Sequence, residues 1–300
     1  MEASHAAAVA PQVAGGWRTV VADYVALTKP KVQSLLLLTT VCSLEIAGDP
    51  SVGLIALTVV GGYLSAGGAG AVNHYYDRDI DALMPRTANR PVPAGRIAPR
   101  AALVYGVVLA ALSFVLLTTT VNLLAASLAL SGFLGYVFVY TVWLKRRTPQ
   151  NIVIGGAAGA IPPLVGWAAV TGGLGGMPIY LFAIVFFWTP PHFWALSLLM
   201  KDEYKRVGVP MLPVVKGEDE TRKQILLYSV LLWAVTQLPF CAGGLGTFYM
   251  VSSLVLGGLF IGGAVVLYRR ADRKSALRLY LFSLLYLALL FGAMVLDVKL

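Results

Sequence analysis

The 300-residue chain is 58% hydrophobic and only 12% charged, with a formal charge of +9. Soluble domains carry about 25% charged residues, so half that density with long apolar runs excludes a soluble globule and implies an integral membrane protein. The basic residues lie in short loops between apolar runs, which argues against a nucleic-acid-binding face. The two cysteines, Cys42 and Cys241, sit far apart in apolar segments and imply neither a disulfide framework nor a thiolate metal site.

The first sixteen residues are rich in Ala and Val and hold no Lys or Arg. That is a poor secretory signal and a poor Arg-rich transit peptide, so a bacterial cytoplasmic membrane is expected. Residues 1–23 read as a flexible or interfacial arm and residues 24–300 as one transmembrane domain, with Trp17 to Lys31 forming an amphipathic entry. A first span runs from about Val32 to Ala47 and a second from about Val52 to Tyr76, the latter rich in glycines that permit close helix contact. After a loop over 77–100, further spans are expected at about 101–120, 122–143, 151–171, 178–199, 224–243, 248–268 and 277–297. Each is near the ~20 residues that cross a bilayer. All but one of the 23 Lys and Arg fall in residues 1–31 or in 77–100, 145–150, 200–223 and 269–278, leaving only Lys299 on the other side. The positive-inside rule then predicts an all-α membrane protein of nine transmembrane helices, with the N-terminus cytoplasmic and the C-terminus outside. The two longest loops, 77–100 and 200–223, are cytoplasmic and follow the second and sixth spans. Chemistry is expected on that side, and the spacing hints at a duplicated four-helix unit.

Four stretches can carry chemistry. A helix continuing through residues 73–81 places Asn73, Asp77 and Asp81 at i, i+4 and i+8 on one face, with Asp79 rotated away. Such an oxygen ladder, about 12 Å long where an apolar segment meets water, suits Mg²⁺. The plainer alternative is helix-end carboxylates paired with Arg78, Arg86 or Arg90. The second stretch, Lys201 to Arg206, offers Asp202 and Glu203 at matching depth and reads either as a partner acidic cluster or as a solvated charge run. The third is the basic loop Met84 to Arg96, stiffened by prolines, which reads as a phosphate-gripping lid or as positive-inside charge on anionic lipid. In the fourth, Trp188-Thr189-Pro190-Pro191-His192-Phe193-Trp194, two prolines are expected to interrupt the sixth span. They leave His192 to ligate heme iron, accept a proton or serve as a hydrogen-bonded core residue, and His74 allows the same readings.

These residues resemble the UbiA-type intramembrane prenyltransferases, and among them the heme-farnesylating branch. The likeness rests on Leu27-Thr28-Lys29-Pro30-Lys31, Asn73-x3-Asp77-x3-Asp81, Arg86-Thr87-x2-Arg90-Pro91, and Trp143-Leu144-Lys145-Arg146 running into Asn151 to Gly166. Pro190 to Leu196, and Asp202-Glu203-Tyr204 with Gly208 to Pro213, complete it, so nearly all of the chain from about Tyr24 onward is covered. One departure stands out: quinone-type members repeat an aspartate at the position that is Arg206 here, so Asp202 and Glu203 must supply the second acidic cluster together.

The resemblance implies a nine-helix prenyltransferase bundle that converts heme B to heme O with farnesyl diphosphate, releasing diphosphate. It implies Mg²⁺ on Asn73, Asp77, Asp81, Asp202 and Glu203, diphosphate contacts from Lys31, Arg86, Arg90, Lys145 and Lys205, and heme contacts from His192 and His74. Heme B is then a substrate and not a cofactor. Membrane lipid and farnesyl diphosphate are partners, and heme A synthase or terminal oxidase assembly factors are candidate contacts. Two other functions fit parts of the pattern. A prenyltransferase for an aromatic or quinone precursor shares the first acidic motif, and an ion-coupled transporter shares intramembrane acids and broken helices. The Gly208 to Pro213 segment argues against the former, and the placing of both acidic motifs at one membrane face argues against the latter.

Overall fold

The computed structural model describes residues 16–300, so most of the predicted arm, residues 1–15, lies outside the described residues. The described residues form helices and no strands. Helix α1 (Trp17–Leu27) crosses the predicted arm boundary at residue 23, and α2 (Pro30–Ala47) is the first predicted span. Next come α3 (Val52–Tyr76), the short α4 (Arg78–Leu83), α5 (Pro99–Thr120), and α6 (Leu123–Leu134), which runs on as a π-helix over Gly135–Leu144. The fifth predicted span is two helices, α7 (Asn151–Gly159) and α8 (Ile161–Thr171), parted at Ala160. Pro162 and Pro163 explain the break, since proline is at home only in the first turn of a helix, where they stand in α8. The rest are α9 (Gly176–Leu199), α10 (Lys201–Arg206), α11 (Leu212–Val215), α12 (Gly217–Val235), α13 (Leu238–Cys241), α14 (Thr247–Arg270) and α15 (Arg273–Lys299).

Among the described residues, eight helical units are long and apolar enough to cross a membrane. They match eight of the nine predicted spans. The remaining one, α2, carries Lys31, Gln33 and Glu45 within its 18 residues and is not among the eight.

Two boundaries differ from expectation for clear reasons. The seventh span starts at Gly217, not near 224, because Glu218, Asp219 and Glu220 in the first turn favour a helix N-terminus. The sixth span is not interrupted: α9 runs unbroken through Pro190 and Pro191. Each proline removes an N–H and so leaves a carbonyl one turn earlier without its helical partner. Residues 188–192 are all buried, and that packing holds the helix on course.

Small residues set how the helices meet. A Cβ added at Gly68 would stand 2.5 Å from the carbonyl oxygen of Gly106, and one at Gly106 would stand 2.6 Å from that of Gly68. The backbones of α3 and α5 therefore cross in direct contact, as small residues allow in membranes. Hydroxyls bond across other seams: Ser43 Oγ to the Pro163 carbonyl at 2.6 Å, Ser65 Oγ to Ala129 at 2.8 Å, and Ser113 Oγ to Gly61 at 2.7 Å. Outward faces are apolar, with Val104, Val107, Val108 and Val115 exposed on α5 and Leu281, Leu285 and Leu289 on α15, as a lipid-facing surface requires.

Gly68→Ala is expected to cost about 1–3 kcal/mol by overpacking this crossing, read as a lower Tm of the detergent-solubilised protein. Gly262→Ala, whose new Cβ would meet nothing within 4 Å, is expected to leave Tm unchanged or slightly raised.

Candidate functional site

Helix α3 ends at Tyr76, and Asp77 takes φ −89° and ψ 5° before α4 begins. The helix predicted to run through 73–81 is thus kinked at Asp77. The hydrogen-bond spacing nevertheless survives, with Asp77 N–H donating to the Asn73 carbonyl at 2.9 Å and Asp81 N–H to that of Asp77 at 2.8 Å. The ladder therefore forms as expected: Asn73, Asp77 and Asp81 are 2%, 0% and 3% exposed, while Asp79 points into solvent.

Four cations close on this ladder from three parts of the chain. Lys29 Nζ donates to Asn73 Oδ1 at 2.6 Å, and Lys145 Nζ bonds Asp77 Oδ2. Arg146 grips both Asp79 oxygens at 2.7 Å and reaches Asp77 Oδ1 at 3.4 Å. Arg90 Nη1 holds Asp81 Oδ2 at 2.6 Å. Asn73 Nδ2 donates to Asp77 Oδ2 at 2.6 Å and to Thr141 Oγ1 at 3.2 Å, which fixes its amide so that Oδ1 faces Lys29. Arg90, Lys145 and Arg146 balance the three carboxylates Asp77, Asp79 and Asp81, and Lys29, when protonated, leaves a positive surplus. Such a surplus favours an added anion.

Each cation has a local reason for its place. Pro30 opens α2, so Lys29 is its N-cap and adopts the left-handed conformation, φ 54°, that turns it inward. Burial, with Arg90 and Lys145 nearby, pulls the Lys29 ammonium down to about 7. Lys145 follows the π-helix, whose last turn closes with Lys145 N–H on the Tyr140 carbonyl at 2.8 Å, an i+5 bond. Long π stretches are rare and mark functional places. Arg90 sits in a loop pinned by Thr87 Oγ1 on the Asp81 carbonyl at 2.8 Å.

Of the diphosphate contacts implied for this sequence, Arg90 and Lys145 reach the ladder. Lys31, Arg86 and Lys205 are exposed and make no ion pair among the described residues. Arg96 of the basic loop is taken by Asp23 of α1 in a bidentate pair at 3.0–3.1 Å. Lys29, Arg146 and Thr141 are the residues that sequence reasoning missed. Pro30 marks the start of α2 and so places Lys29 at its N-cap, whereas nothing in the sequence announces the π-helix.

The second acidic stretch comes to the same end of the bundle. Ile80 of α4 packs in one cluster with Ile152, Val209 and Met211, beside Tyr140 and Tyr204. Asp202 is exposed, but Glu203 is partly buried and its Oε2 is enclosed with no hydrogen-bond partner. No group of three or more His, Cys, Asp or Glu close enough to hold a metal occurs among the described residues. His192 lies deeper, 6% exposed, stacked between Trp188 at 4.3 Å and Tyr280 at 4.9 Å, with Nδ1 on Ser283 Oγ at 2.6 Å. His74 is buried beside Asn73 with neither ring nitrogen partnered.

Residues 35–290 match the model of the UbiA prenyltransferase family. The chain belongs to that family. It is 56% identical over 283 residues to a protoheme IX farnesyltransferase of Chloroflexus aurantiacus, covering 94% of this chain and 48% of the relative. A protein of the same name from Symbiobacterium thermophilum is 55% identical, with 93% and 95% covered. The chain thus spans about half the length of the first curated relatives it matches and nearly all of others. Among solved structures, digeranylgeranylglyceryl phosphate synthase superposes with a TM-score of 0.77 at 20% identity, covering 93% of this chain and 99% of that one. A UbiA homologue from Archaeoglobus fulgidus bound to GPP and Mg²⁺ gives 0.66 at 18%, with 91% and 99% covered. At such identities the likeness speaks for the UbiA fold.

The Arg146 guanidinium holds the Asp79 carboxyl down at about 2. Its stabilising contribution is present above the ordinary carboxylate pKa and is lost as pH falls through about 2. Because this pair is solvent-screened, Asp79→Asn is expected to cost at most about 1 kcal/mol near pH 7. The gap to the parent protein should close in unfolding titrations taken down through pH 4 towards 2.

Proposed function

We propose that this UbiA-family chain farnesylates heme B, giving heme O. The observation that carries the reading is the buried ladder of Asn73, Asp77 and Asp81 ringed by Lys29, Arg90, Lys145 and Arg146. Its chemistry fits a prenyl diphosphate, and the names of relatives that are 55–56% identical supply heme as the acceptor.

The donor set fits a hard divalent cation: an amide oxygen and two carboxylates on one face, with the orphaned Glu203 Oε2 at the same end of the bundle. Asn73, Asp77, Asp81 and the Asp202–Glu203 pair would hold Mg²⁺, with Glu203 favoured of the two because its enclosed Oε2 has no other partner. Bound there, Mg²⁺ supplies Lewis-acid stabilisation of charge gathering on the leaving diphosphate. Lys29, Arg90, Lys145 and Arg146 bind the remaining diphosphate oxygens, exchanging carboxylate for phosphate partners. Lys31, Arg86 and Lys205 lie at the rim, where they draw the anion in.

The C–O bond to diphosphate breaks and takes its electron pair with it, leaving an allylic cation at the farnesyl end. The vinyl π electrons of heme B form the new C–C bond to that carbon. Water adds to the resulting cation beside the porphyrin, loses a proton, and leaves the hydroxyethylfarnesyl group. The apolar cluster around Leu181, Ile184, Trp188 and Tyr286 holds the tail and ring and limits earlier hydrolysis. His192, its ring fixed by Ser283, contacts the macrocycle through Nε2; His74 lies towards the diphosphate end.

The topology belonging to this reading has nine spans, α2 included, with a cytoplasmic N-terminus and the ladder at the cytoplasmic face of a bacterial cell membrane. The clustering of Lys and Arg at the ladder end supports it. In a cysteine-free background, a cysteine at Ala88 should label only after the inner face is opened, and one at Ser51 from outside.

Purified protein incubated with heme B, farnesyl diphosphate and Mg²⁺ should give heme O by mass spectrometry. Asp77→Asn should lower the rate at least about a hundredfold, and Glu203→Gln should cost more than Asp202→Asn. Folded protein that yields no heme product, yet prenylates a quinone precursor, would overturn the assignment.

A further inference from the structure

A cavity of about 440 Å³ opens between α9, α11 and α12. Its wall carries Lys216, Glu220, Gln224 and Tyr228, spaced four residues apart and so on one face of α12, together with Gln150 and Trp194. The Trp194 side chain is only 2% exposed, yet its indole N–H has no hydrogen-bond partner. A buried donor left unpaired is costly, so this one calls for an acceptor. Around it stand further donors: the Lys216 ammonium, the Gln150 amide and the Tyr228 hydroxyl. One anion intrudes, Glu220, and its Oε1 is already engaged by Gln224 Nε2 at 2.9 Å.

The cavity belongs to the reacting end of the molecule. Gln150 closes the short loop that starts at Lys145, the residue bonded to Asp77, so one loop touches both places. Trp194 precedes Asp202 by eight residues, about 12 Å along a helix. Protoporphyrin is an apolar disc with two vinyl groups at one edge and two propionate carboxylates at the opposite edge. With a vinyl group turned towards the farnesyl carbon beside the ladder, the carboxylates must be received elsewhere and by donors.

We propose that the cavity lined by Gln150, Trp194, Lys216 and Tyr228 receives the propionate carboxylates of the porphyrin and so turns its vinyl edge towards the farnesyl group. This rests on the heme reading above. Lys216 supplies the charge-assisted bond, and Trp194 and Tyr228 combine an apolar face with a donor, as the rim of a carboxylated disc requires. Glu220 opposes binding, which gives the idea a test of sign.

Binding of heme B and of its dimethyl ester to the purified full chain is followed by Soret absorbance, with farnesyl diphosphate binding followed separately by calorimetry. The free acid should bind the parent protein about tenfold tighter than the ester, the size of one charge-assisted bond. Lys216→Ala and Trp194→Phe should each reduce that preference. Glu220→Gln should tighten binding of the free acid, a gain that no misfolded variant produces. Equal affinity for acid and ester, a preference unchanged in Lys216→Ala, or weaker binding in Glu220→Gln would overturn the proposal while leaving the heme reading intact. Farnesyl diphosphate binding without binding of either porphyrin would instead overturn the heme reading itself.

Discussion

Everything in this molecule answers to the burial of two carboxylates, Asp77 and Asp81, where an apolar helix ends. Removing such ions from water costs several kcal/mol each, and their attraction to partner cations rarely returns more than that. Stability alone therefore gives no reason to keep them. What the arrangement provides is a fixed set of charges whose partners can be exchanged. The cations come from the α1–α2 junction, the loop after α4 and the end of the π-helix, so the fold has to bring three distant segments to one point. The bare backbone crossing of α3 and α5 settles where the ladder stands, and the widened π turn brings Lys145 to meet it.

A gradient runs down from that point. At one end lie charge, hydrogen bonds and short helices joined through Ile80, Ile152, Val209 and Met211. Deeper in, α9 and α15 meet through the stack of Trp188, His192 and Tyr280, with Trp188 Nε1 on the Ser283 carbonyl at 2.8 Å. An amphiphilic reactant with a charged head and a long apolar tail matches this gradient in both composition and direction.

Much of this was legible in the residues. Long apolar runs read as spans and basic loops mark their ends, so eight of the nine expected spans match long apolar helical units to within a few residues, apart from the start of α12 and the break of the fifth at Ala160. The face shared by Asn73, Asp77 and Asp81 follows from helical spacing, and it outlived a kink because the hydrogen bonds across Asp77 keep their i+4 registry. What stayed hidden depends on tertiary packing. Pro190 and Pro191 do not break α9 because neighbours enclose them, a fact with no local signature. The π-helix over Gly135–Leu144 looks like any apolar helix in sequence, and with it went the roles of Thr141 and Arg146. That Pro30 opens a helix is legible, since proline favours the first helical position, but which of Lys29 and Lys31 turns inward is set by packing.

Lys29 is also the hinge pin between α1 and α2. It is held left-handed ahead of a proline, away from the extended conformations that residue would ordinarily adopt, and its ammonium is moored to Asn73. Helix α1 is further strapped to the basic loop by Asp23 and Arg96, with Leu27 wedged against Ala71, Val92 and Ile97. Tilt or lift of α1 at the water boundary is thereby geared to the ladder, because the helix cannot swing without drawing Lys29 off the amide. The site thus carries a lever whose handle rests outside the bundle.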